Sequence, residues 1–317
     1  MLRCDPPLKF LVTGGAGFIG SHLAEELVQR GHQVRIVDDF STGKKKNIAS
    51  FLDKIELIEG DIRDIEVCRQ AAKGMDFVLH QAALTSVPYS IENPLLTNEI
   101  NIKGTLNLLL ASRDAAVQRY VFASSAAVYG DDPHLPKKEE VVGASLSPYA
   151  LSKRVGEMFC QLFTRTFGLS TVCLRYFNIF GPRQDPASQY ASVIPLFISR
   201  MLKNEKPVIF GDGEQTRDFL FVSNVVEANM LAVKADSLEG EVFNIGYGEE
   251  TSINELTRKI NEILKMNIRP AYDEPRPGDI KGSFADISWA RKMLKYEPTV
   301  DFSEGLKRTI RWYEEGE

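Results

Sequence analysis

Tyr149 and Lys153 have side chains that can take part in proton transfer, and they stand four residues apart. Four residues is about one helical turn, so both side chains project from the same face of a helix. Ser147 is expected to cap that helix, and Pro148 suits its first turn. A free tyrosine titrates near ~10, and one nearby positive charge lowers a pKa by ~1–3 units. Lys153 alone therefore approaches the drop needed for proton transfer at neutral pH, and a second positive charge would complete it.

The spacing of Tyr149 and Lys153 is also common on solvated helix faces, so the rest of the chain has to decide. The chain has 317 residues, of which 44% are hydrophobic and 26% charged, with a net charge of −5. This composition is ordinary for a globular protein, with no basic block for nucleic acid and no apolar run of the ~18 residues that span a membrane. The histidines suggest no metal site. No secretion signal is recognised, and the cysteines are scattered, which indicates the cytoplasm: Cys4, Cys68, Cys160 and Cys173.

A glycine-rich turn stands between an apolar strand and a helix near the start of the chain. The strand is Lys9–Thr13, the helix runs from about Ser21 to Arg30, and a second strand at 33–37 closes on Asp38. This order predicts a βαβ unit whose turn binds a dinucleotide pyrophosphate at the helix N-terminus. Asp38 suits the ribose hydroxyls and would repel a 2′-phosphate, which favours NAD over NADP. An oxidised nicotinamide would also supply the second positive charge. The turn residues predicted to bind NAD are Gly14, Gly17, Phe18, Ile19 and Gly20.

Strands and helices continue to alternate after this unit, which predicts an α/β fold with a doubly wound parallel sheet. Strands are expected at 55–62, 77–83 and 120–125, with a helix at about 97–113. Ligands of such sheets bind at the carboxyl ends of the strands. Asp61 is interpreted as an acceptor for the adenine amino group or as a turn or capping residue. The other strand-end residues predicted to approach NAD are Ile62, Gln81, Ala82 and Ala83.

Together these motifs resemble the extended short-chain dehydrogenase/reductase family over nearly the whole chain. The resemblance implies that Ser125 is the catalytic serine, Tyr149 the acid/base and Lys153 the residue that binds the nicotinamide ribose. Ser124 competes for the serine role, but Ser125 has the better spacing to the Tyr-Gly pair at 129–130. The resemblance adds Asn101 and Tyr176 to the cofactor contacts. It also implies a Rossmann-type domain at 1–174 and a smaller substrate lobe at 175–317, with the chain crossing between them.

The same resemblance implies a UDP-sugar substrate for the second lobe. Arginine suits a diphosphate because its planar fork grips phosphate oxygens in pairs. The residues implied to bind the UDP part are Asn178, Val208, Phe210, Arg217, Arg276 and Asp279. Three further residues are predicted to cap helices of this lobe: Ser252, Asp286 and Ser303.

Ala126 and Ala127 narrow the reaction within the family. A 4,6-dehydratase carries an Asp-Glu pair at these positions and a decarboxylase usually a Glu at the second, whereas alanine cannot transfer a proton. The remaining reaction is 4-epimerisation: oxidation at C4, rotation of the 4-keto sugar, and return of the hydride to its other face. NAD is regenerated in each cycle. Homodimers through the helix that carries Tyr149 are common in the family, so a homodimer is expected.

Ser86 and Ser283 indicate the sugar. The loop with Ser86 resembles that of epimerases acting on N-acetylated UDP-hexoses, and Ser283 aligns with a gate position where tyrosine restricts the substrate. A small residue admits an acetamido group but does not by itself reject the smaller sugar. The prediction is therefore UDP-GlcNAc/UDP-GalNAc interconversion, with UDP-Glc/UDP-Gal activity plausible. The alternatives are a UDP-glucuronate 4-epimerase and a non-catalytic protein that binds NAD and a sugar nucleotide.

Overall fold

The computed structural model describes residues 7–186, 192–236, 238–275 and 280–316. Its strands are β1 Lys9–Thr13, β2 Gln33–Asp38, β3 Ile55–Glu59, β4 Phe77–His80, β5 Arg119–Ser125, β6 Thr171–Tyr176, β7 Ile179–Phe180, β8 Val208–Phe210, β9 Thr216–Arg217, β10 Leu220–Phe221, β11 Val242–Ile245, β12 Thr251–Ser252 and β13 Ala271–Asp273. Its helices are α1 Phe18–Gln29, α2 Ile65–Ala72, α3 Val87–Glu92, α4 Pro94–Asn98, α5 Gly104–Asp114, α6 Pro148–Phe167, α7 Val193–Leu202, α8 Val222–Lys234, α9 Ile253–Leu264, α10 Ser288–Leu294 and α11 Phe302–Glu314. Two 3₁₀ segments, Lys45–Lys54 and Ala126–Tyr129, and one π-helical turn, Glu99–Lys103, complete the described elements.

Seven parallel strands form the central sheet in the order β11-β6-β5-β4-β1-β2-β3. The strand order changes direction between β1 and β4, because β2 and β3 follow on one side of this point and β5 and β6 on the other. Here Thr13 on β1 lies beside His80 on β4. In a doubly wound sheet this switch point opens a crevice at the carboxyl edge. The predicted α/β fold with a parallel sheet is confirmed.

Helices cover both faces of this sheet, which is why its inner strands are apolar on both sides. All four residues of β4 and all six of β6 are buried. Helices α2, α5 and α6 pack together on one face, and α1 and α8 on the other. Each face therefore has its own apolar core, and the carboxyl edge between them is left for the site.

A separate apolar cluster lies between α7, α9 and α11 and the short strand pairs of the second half of the chain. Its fully buried members include Ile198, Leu256, Ile260 and Leu306. Strand β11 leaves this half and joins the edge of the central sheet beside β6. The division into domains at 1–174 and 175–317 stays a proposal.

Some element bounds differ from those expected from the sequence. The helix expected at 97–113 is interrupted by the π-helical turn, because hydrophobic spacing does not report a local change of hydrogen-bond register. Strand β4 ends at His80, three residues early. Ser252 caps α9 as predicted, whereas Asp301 rather than Ser303 caps α11. The side chain of Asp286 accepts from the amide of Ser288 but Ile287 is the N-cap of α10.

Among the described residues, no helix is long and apolar enough to cross a membrane, and no cluster of three His, Cys, Asp or Glu residues could hold a metal ion. Cys68, Cys160 and Cys173 are buried free thiols. The predicted cytoplasmic location stays a prediction.

Candidate active site

The glycine-rich turn follows β1 and leads directly into α1. Gly14 has φ +64°, and its amide donates to the carbonyl of Val37 at 2.8 Å. A Cβ at Gly14 would lie 2.8 Å from the amide nitrogen of Ala82, and one at Gly20 only 2.1 Å from the Gly14 carbonyl oxygen. Gly17 is the N-cap of α1 and provides no capping side chain. The turn is therefore packed backbone on backbone, with the N-terminus of α1 behind it, as a pyrophosphate cradle requires.

Asp38 closes β2 beside this turn. Its carboxylate is buried and accepts hydrogen bonds from the amides of Ala16 and Phe40, both at 2.9 Å. Burial raises the pKa of Asp38, and these backbone hydrogen bonds act against that shift. The acid thus lies where the sequence predicted a ribose-binding carboxylate.

Asp61 lies two residues beyond β3 and is held by Arg63. Its carboxylate accepts from Arg63 Nε at 2.8 Å, from Nη2 at 2.5 Å and from the Arg63 amide at 2.8 Å. The Arg63 side chain is the main cause that lowers the pKa of Asp61. The turn interpretation of Asp61 is thereby supported by contacts, while its adenine contact stays a prediction. Ile62 is buried against the position of Gly104.

A chain of buried hydrogen bonds runs across the carboxyl edge through His80. The Ala82 amide donates to Thr13 Oγ1 at 3.1 Å, and that hydroxyl lies 2.7 Å from His80 Nδ1. On the other side, His80 Nε2 lies 2.9 Å from Thr105 Oγ1, whose hydroxyl donates to the Asn101 carbonyl at 2.6 Å. Because the single Thr105 hydroxyl proton goes to Asn101, His80 Nε2 donates to Thr105, and in a neutral ring Nδ1 then accepts from Thr13. Burial lowers the pKa of His80 well below its usual value, which keeps the ring neutral.

Asn101 lies in the π-helical turn and joins two parts of the site. Its amide group bonds both the backbone N–H and C=O of Leu84, at 2.8 and 2.9 Å. It also donates to Ser152 Oγ at 3.0 Å, and that hydroxyl donates to the carbonyl of Tyr149 at 2.8 Å. Asn101 therefore holds the segment after β4 against the helix that carries Tyr149. Half-buried Gln81, Ala82 and Ala83 form the start of that segment.

Ser125, Tyr149 and Lys153 are brought together at the end of β5 and the start of α6. Ser147 caps α6 by accepting from the Ala150 amide at 3.1 Å, as predicted. The Ser125 hydroxyl lies close enough to Tyr149 to lower the pKa of its phenol. Lys153 Nζ donates to the Ala123 carbonyl at 2.8 Å and lies 5.9 Å from the centre of the Tyr149 ring.

The two candidate serines have different partners. Ser124 Oγ donates to Glu157 Oε1 at 2.5 Å, on the buried side of β5. Ser125 Oγ accepts from the Ala127 amide at 3.1 Å, so its own proton is free for the phenol oxygen of Tyr149. The contacts support the preference for Ser125.

The pKa of Tyr149 departs from the sequence-based expectation. Burial raises it, and the Ser125 hydrogen bond lowers it only in part. Lys153 is itself 4% exposed, and burial lowers its pKa to about 8. The expected drop near neutral pH is thus not produced by the protein's own groups, because the low-dielectric site penalises the phenolate. The positive charge of an oxidised nicotinamide must therefore lower the pKa of Tyr149 more than the sequence suggested.

Tyr176 ends β6 on the same edge. Its hydroxyl accepts from Asn229 Nδ2 at 2.8 Å and from Gln81 Nε2 at 3.3 Å. Burial raises the pKa of Tyr176 to about 12. Tyr176 therefore stays neutral and fixes Gln81 beside the predicted cofactor residues.

A cavity of about 310 Å³ lies in the second lobe and is lined by four of the predicted substrate residues. These are Asn178, Val208, Phe210 and Arg217, joined by residues that the sequence reasoning missed, among them Gln215 and Phe219. Arg217 Nη1 donates to the carbonyls of Thr216 and Ile280, both at 2.8 Å. The cavity combines apolar walls with an amide and a guanidinium, which suits a nucleobase and a charged group. Arg276 and Asp279 lie outside the described residues.

The two residues predicted to select the sugar are placed by backbone contacts. Ser86 is the N-cap of α3, and its Oγ accepts from the Tyr89 amide at 3.1 Å. Ser283 is 5% exposed, and its carbonyl accepts from the Asp218 amide at 2.9 Å. Asp218 is fully buried and accepts from three backbone amides, which fixes the segment around Ser283.

Sequence reasoning missed His80, Asp218 and Glu157 as parts of the site. Two of them gave a signal: Glu157 continues the spacing 149–153–157, and His80 is a polar residue inside an apolar strand. Asp218 gave none of its own, because its three partners come from distant segments.

The profile of the NAD dependent epimerase/dehydratase family matches residues 10–246. A UDP-glucose 4-epimerase of Mycolicibacterium smegmatis is 36% identical over 310 residues, covering 96% of this chain and 98% of the relative. A structure of a UDP-N-acetylglucosamine 4-epimerase from Methanobrevibacter ruminantium, in complex with UDP-N-acetylmuramic acid, is 40% identical with a TM-score of 0.94, and the match covers 98% of this chain and 99% of that one. A UDP-glucuronic acid 4-epimerase from Bacillus cereus, with UDP-glucuronic acid and NAD, is 32% identical with a TM-score of 0.89, covering 97% and 99%. These three relatives differ in the sugar that their names give.

Proposed function

This chain belongs to the NAD-dependent epimerase/dehydratase family, and we propose that it is an isomerase that inverts C4 of UDP-hexoses, preferentially the UDP-GlcNAc/UDP-GalNAc pair. The proposal rests on the proximity of Ser125, Tyr149 and Lys153 in the structure. It also rests on the two alanines that directly follow Ser125 in the chain. Tyr149 provides one side chain that can take up and return a proton, and the alanine side chains cannot transfer a further proton.

The described residues fit NAD. Gly14 and Gly20 approach neighbouring backbone too closely for a side chain, and Gly17 leaves the N-terminus of α1 without a capping side chain. The buried Asp38 carboxylate beside it suits two ribose hydroxyls and opposes a phosphate there. NAD would supply the hydride acceptor and donor for the sugar C4.

Tyr149 is the proposed acid/base. Its phenolate takes the proton of the C4 hydroxyl as C4 is oxidised to a ketone, and gives it back when the ketone is reduced. Ser125 donates to the same oxygen and so favours the phenolate. Lys153 adds a positive charge on the same helix face and suits the hydroxyls of the nicotinamide ribose. Inversion needs the 4-keto sugar to turn its other face to the hydride donor between the two steps.

Epimerisation is favoured over elimination or decarboxylation by Ala126 and Ala127. These residues open the 3₁₀ segment after Ser125, where an acid pair would be needed to move further protons. The amide of Ala127 serves only to orient Ser125. The site therefore supports a reaction whose product differs from its substrate only in configuration.

Preference for an N-acetylated sugar rests on Ser283 and Ser86. Ser283 is held by the buried Asp218 network, so its small side chain stays in a defined place. A hydroxymethyl side chain leaves more room for an acetamido group than a phenol ring would. The UDP part is proposed to occupy the cavity lined by Asn178 and Arg217. Arg276 and Asp279 stay predictions for the diphosphate and ribose.

We further propose that the protein is a homodimer that packs α6 against its copy. Leu151, Met158 and Leu162 on this helix are 50%, 61% and 49% exposed, and half-buried Val155 lies between them. Their spacing of four, three and four residues is that of a helix-pairing seam. Such a stripe is costly to leave in water, and it lies on the helix that carries Tyr149.

The test is incubation of the purified protein with UDP-GlcNAc, UDP-Glc and UDP-glucuronate without added reductant, followed by chromatographic separation of the products. The expected result is 4-epimer from UDP-GlcNAc and less from UDP-Glc. Epimer from UDP-glucuronate alone would replace the substrate assignment. No epimer from any of the three would refute the proposal. Tyr149→Phe should abolish turnover while bound NAD is retained, and normal activity in that variant would remove Tyr149 from its role.

A further inference from the structure

A buried polar cluster lies directly behind the proposed catalytic residues. The Glu157 carboxylate accepts from Ser124 Oγ at 2.5 Å, and from Arg175 Nε and Nη2 at 2.8 and 2.9 Å. The side chains of Arg175 and Glu157 are only 4% and 6% exposed. Arg175 is further satisfied by the Glu139 carbonyl at 2.9 Å. The cluster is therefore a bidentate ion pair with two further hydrogen bonds, one from Ser124 and one to the Glu139 carbonyl, an arrangement that favours a rigid buried pair.

Each member of this cluster is tied to a proposed catalytic residue. Ser124 and Arg175 are register partners on β5 and β6, and each precedes a site residue in its strand, Ser125 or Tyr176. Glu157 lies on α6 one helical turn after Lys153 and two after Tyr149. The ion pair thus links the two strands that end at the site to the helix face that enters it.

We propose that Glu157 is a positioning residue for the reaction. Its hydrogen bonds to Ser124 and Arg175 fix the position of α6 along its axis and its rotation relative to β5 and β6. They thereby set the distance and orientation between the Tyr149 and Ser125 side chains. This inference rests on the proposed function, because the residues it positions are those assigned to proton transfer. Displacement of a reacting group by about 1 Å is enough to cost on the order of 100-fold in rate. Loss of the Glu157 hydrogen bonds, one helical turn from Lys153 and two from Tyr149, can therefore lower the reaction rate.

The cluster also sets the charge that surrounds the proton-transfer site. Lys153 is surrounded by the titratable groups of His80 on β4 and of Tyr149, Glu157 and Cys160 on its own helix. Glu157 is faced from β6 by Arg175 and Cys173. Of these groups only Glu157 is a carboxylate. Burial lowers the pKa of Lys153 to about 8, and the Cys160 thiol and the Glu157 carboxylate act in the opposite direction.

Removing one charge of the pair should therefore move both titrations together. Glu157→Gln takes away the negative charge, so the pKa values of Tyr149 and Lys153 both fall, and the pH–rate profile moves to lower pH by on the order of 1 unit. Arg175→Gln takes away the positive charge and should move the profile to higher pH. Ser124→Ala breaks one hydrogen bond of the clamp without changing charge, so it should lower kcat at the optimum without moving the profile. A purely structural role predicts lower stability in all three, with kcat at the optimum unchanged in the variants that fold.

The experiment measures kcat against pH for the NAD-loaded wild type and the three variants. In parallel, the near-ultraviolet absorbance of tyrosinate is titrated in each protein against its Tyr149→Phe counterpart. The expected result is opposite shifts of the Tyr149 titration for Glu157→Gln and Arg175→Gln, with kcat at the optimum lowered tenfold or more in Glu157→Gln and KM for the UDP-sugar little changed. Unshifted titrations, shifts of the same sign, or an unchanged kcat at the optimum in folded variants would overturn the inference.

The two charge variants differ in their risk of misfolding. Glu157→Gln leaves two buried cations without an anion and is the variant most at risk of misfolding. Arg175→Gln leaves Glu157 with Lys153 as its counter-charge, and a lowered kcat at the optimum together with a shift to higher pH in this variant decides the question alone. Absence of turnover in the wild type would refute the proposed function, while the tyrosinate titration would still decide the role of Glu157.

Discussion

Ser125→Ala tests how the protein makes Tyr149 a usable base. In the structure, the Ser125 oxygen accepts from the Ala127 amide, which leaves its own proton for the Tyr149 oxygen. Burial raises the pKa of Tyr149, and this hydrogen bond is the group that lowers it. Loss of the hydroxyl should leave only the raising effect. The rising limb of the pH–rate profile, which follows the phenolate, should therefore move to higher pH.

The size of the shift follows from the strength of one hydrogen bond to a charged group. Such a bond contributes about 1.5–3 kcal/mol, and one pKa unit corresponds to about 1.4 kcal/mol. The limb should then move by about 1–2 units, and kcat at neutral pH should fall by about 10- to 100-fold. Because the lost rate reflects a smaller phenolate fraction, part of it should return as the pH is raised toward the falling limb set by Lys153.

The assay is kcat for UDP-sugar epimerisation by the NAD-loaded enzyme at a series of pH values. Ser124→Ala is the matched control, because it removes a hydroxyl one position away whose partner is Glu157 rather than Tyr149. Its rising limb should stay in place. An equal loss of rate at every pH in Ser125→Ala would refute the argument and assign Ser125 to the sugar oxygen alone. A shift to lower pH would contradict the assigned direction of the hydrogen bond.

Four further outcomes are expected. Ser283→Tyr should lower kcat/KM for UDP-GlcNAc at least about 100-fold while UDP-Glc is still converted, because the ring fills the acetamido space; product chromatography measures both. His80→Ala should lower the free energy of unfolding in urea by about 2–4 kcal/mol, because it opens a cavity and removes one hydrogen-bond partner from each of two buried threonine hydroxyls. Gly20→Ala should lose bound NAD, measured by absorbance after purification, because its Cβ would lie 2.1 Å from the Gly14 carbonyl oxygen; an unchanged NAD content would contradict the cradle. Met158→Glu should yield a monomer by light scattering, and an unchanged mass would place the dimer interface elsewhere or exclude it.

The sequence predicted the Rossmann part of the fold well because its signals are local. The strand Lys9–Thr13, the glycines after it and Asp38 stand within one βαβ unit, so neighbouring residues decide the structure. The caps of α6 and α9 are likewise set by a serine and the amide three residues later. Where two local choices were nearly equal, as for Asp301 and Ser303, the sequence pattern chose wrongly.

The long-range contacts of the site could not be predicted from the pattern. The switch point that puts Thr13 beside His80 joins residues 67 positions apart, and the π-helical turn that presents Asn101 is invisible to hydrophobic spacing. Asp218 bonds segments near 247 and 285, which share no motif with it. Each of these depends on which strands become neighbours.

The sequence by itself determined the chemistry that this chain offers: a tyrosine and a lysine one turn apart, a serine, a glycine turn and two alanines where an acid pair would stand. Residue type and local spacing are enough for that. Only the tertiary structure decided the electrostatics of Tyr149 and which serine bonds it. Burial raises the pKa of Tyr149 instead of lowering it, and Glu157 takes Ser124. Both depend on desolvation and on neighbours from other strands, and these exist only once the chain is packed.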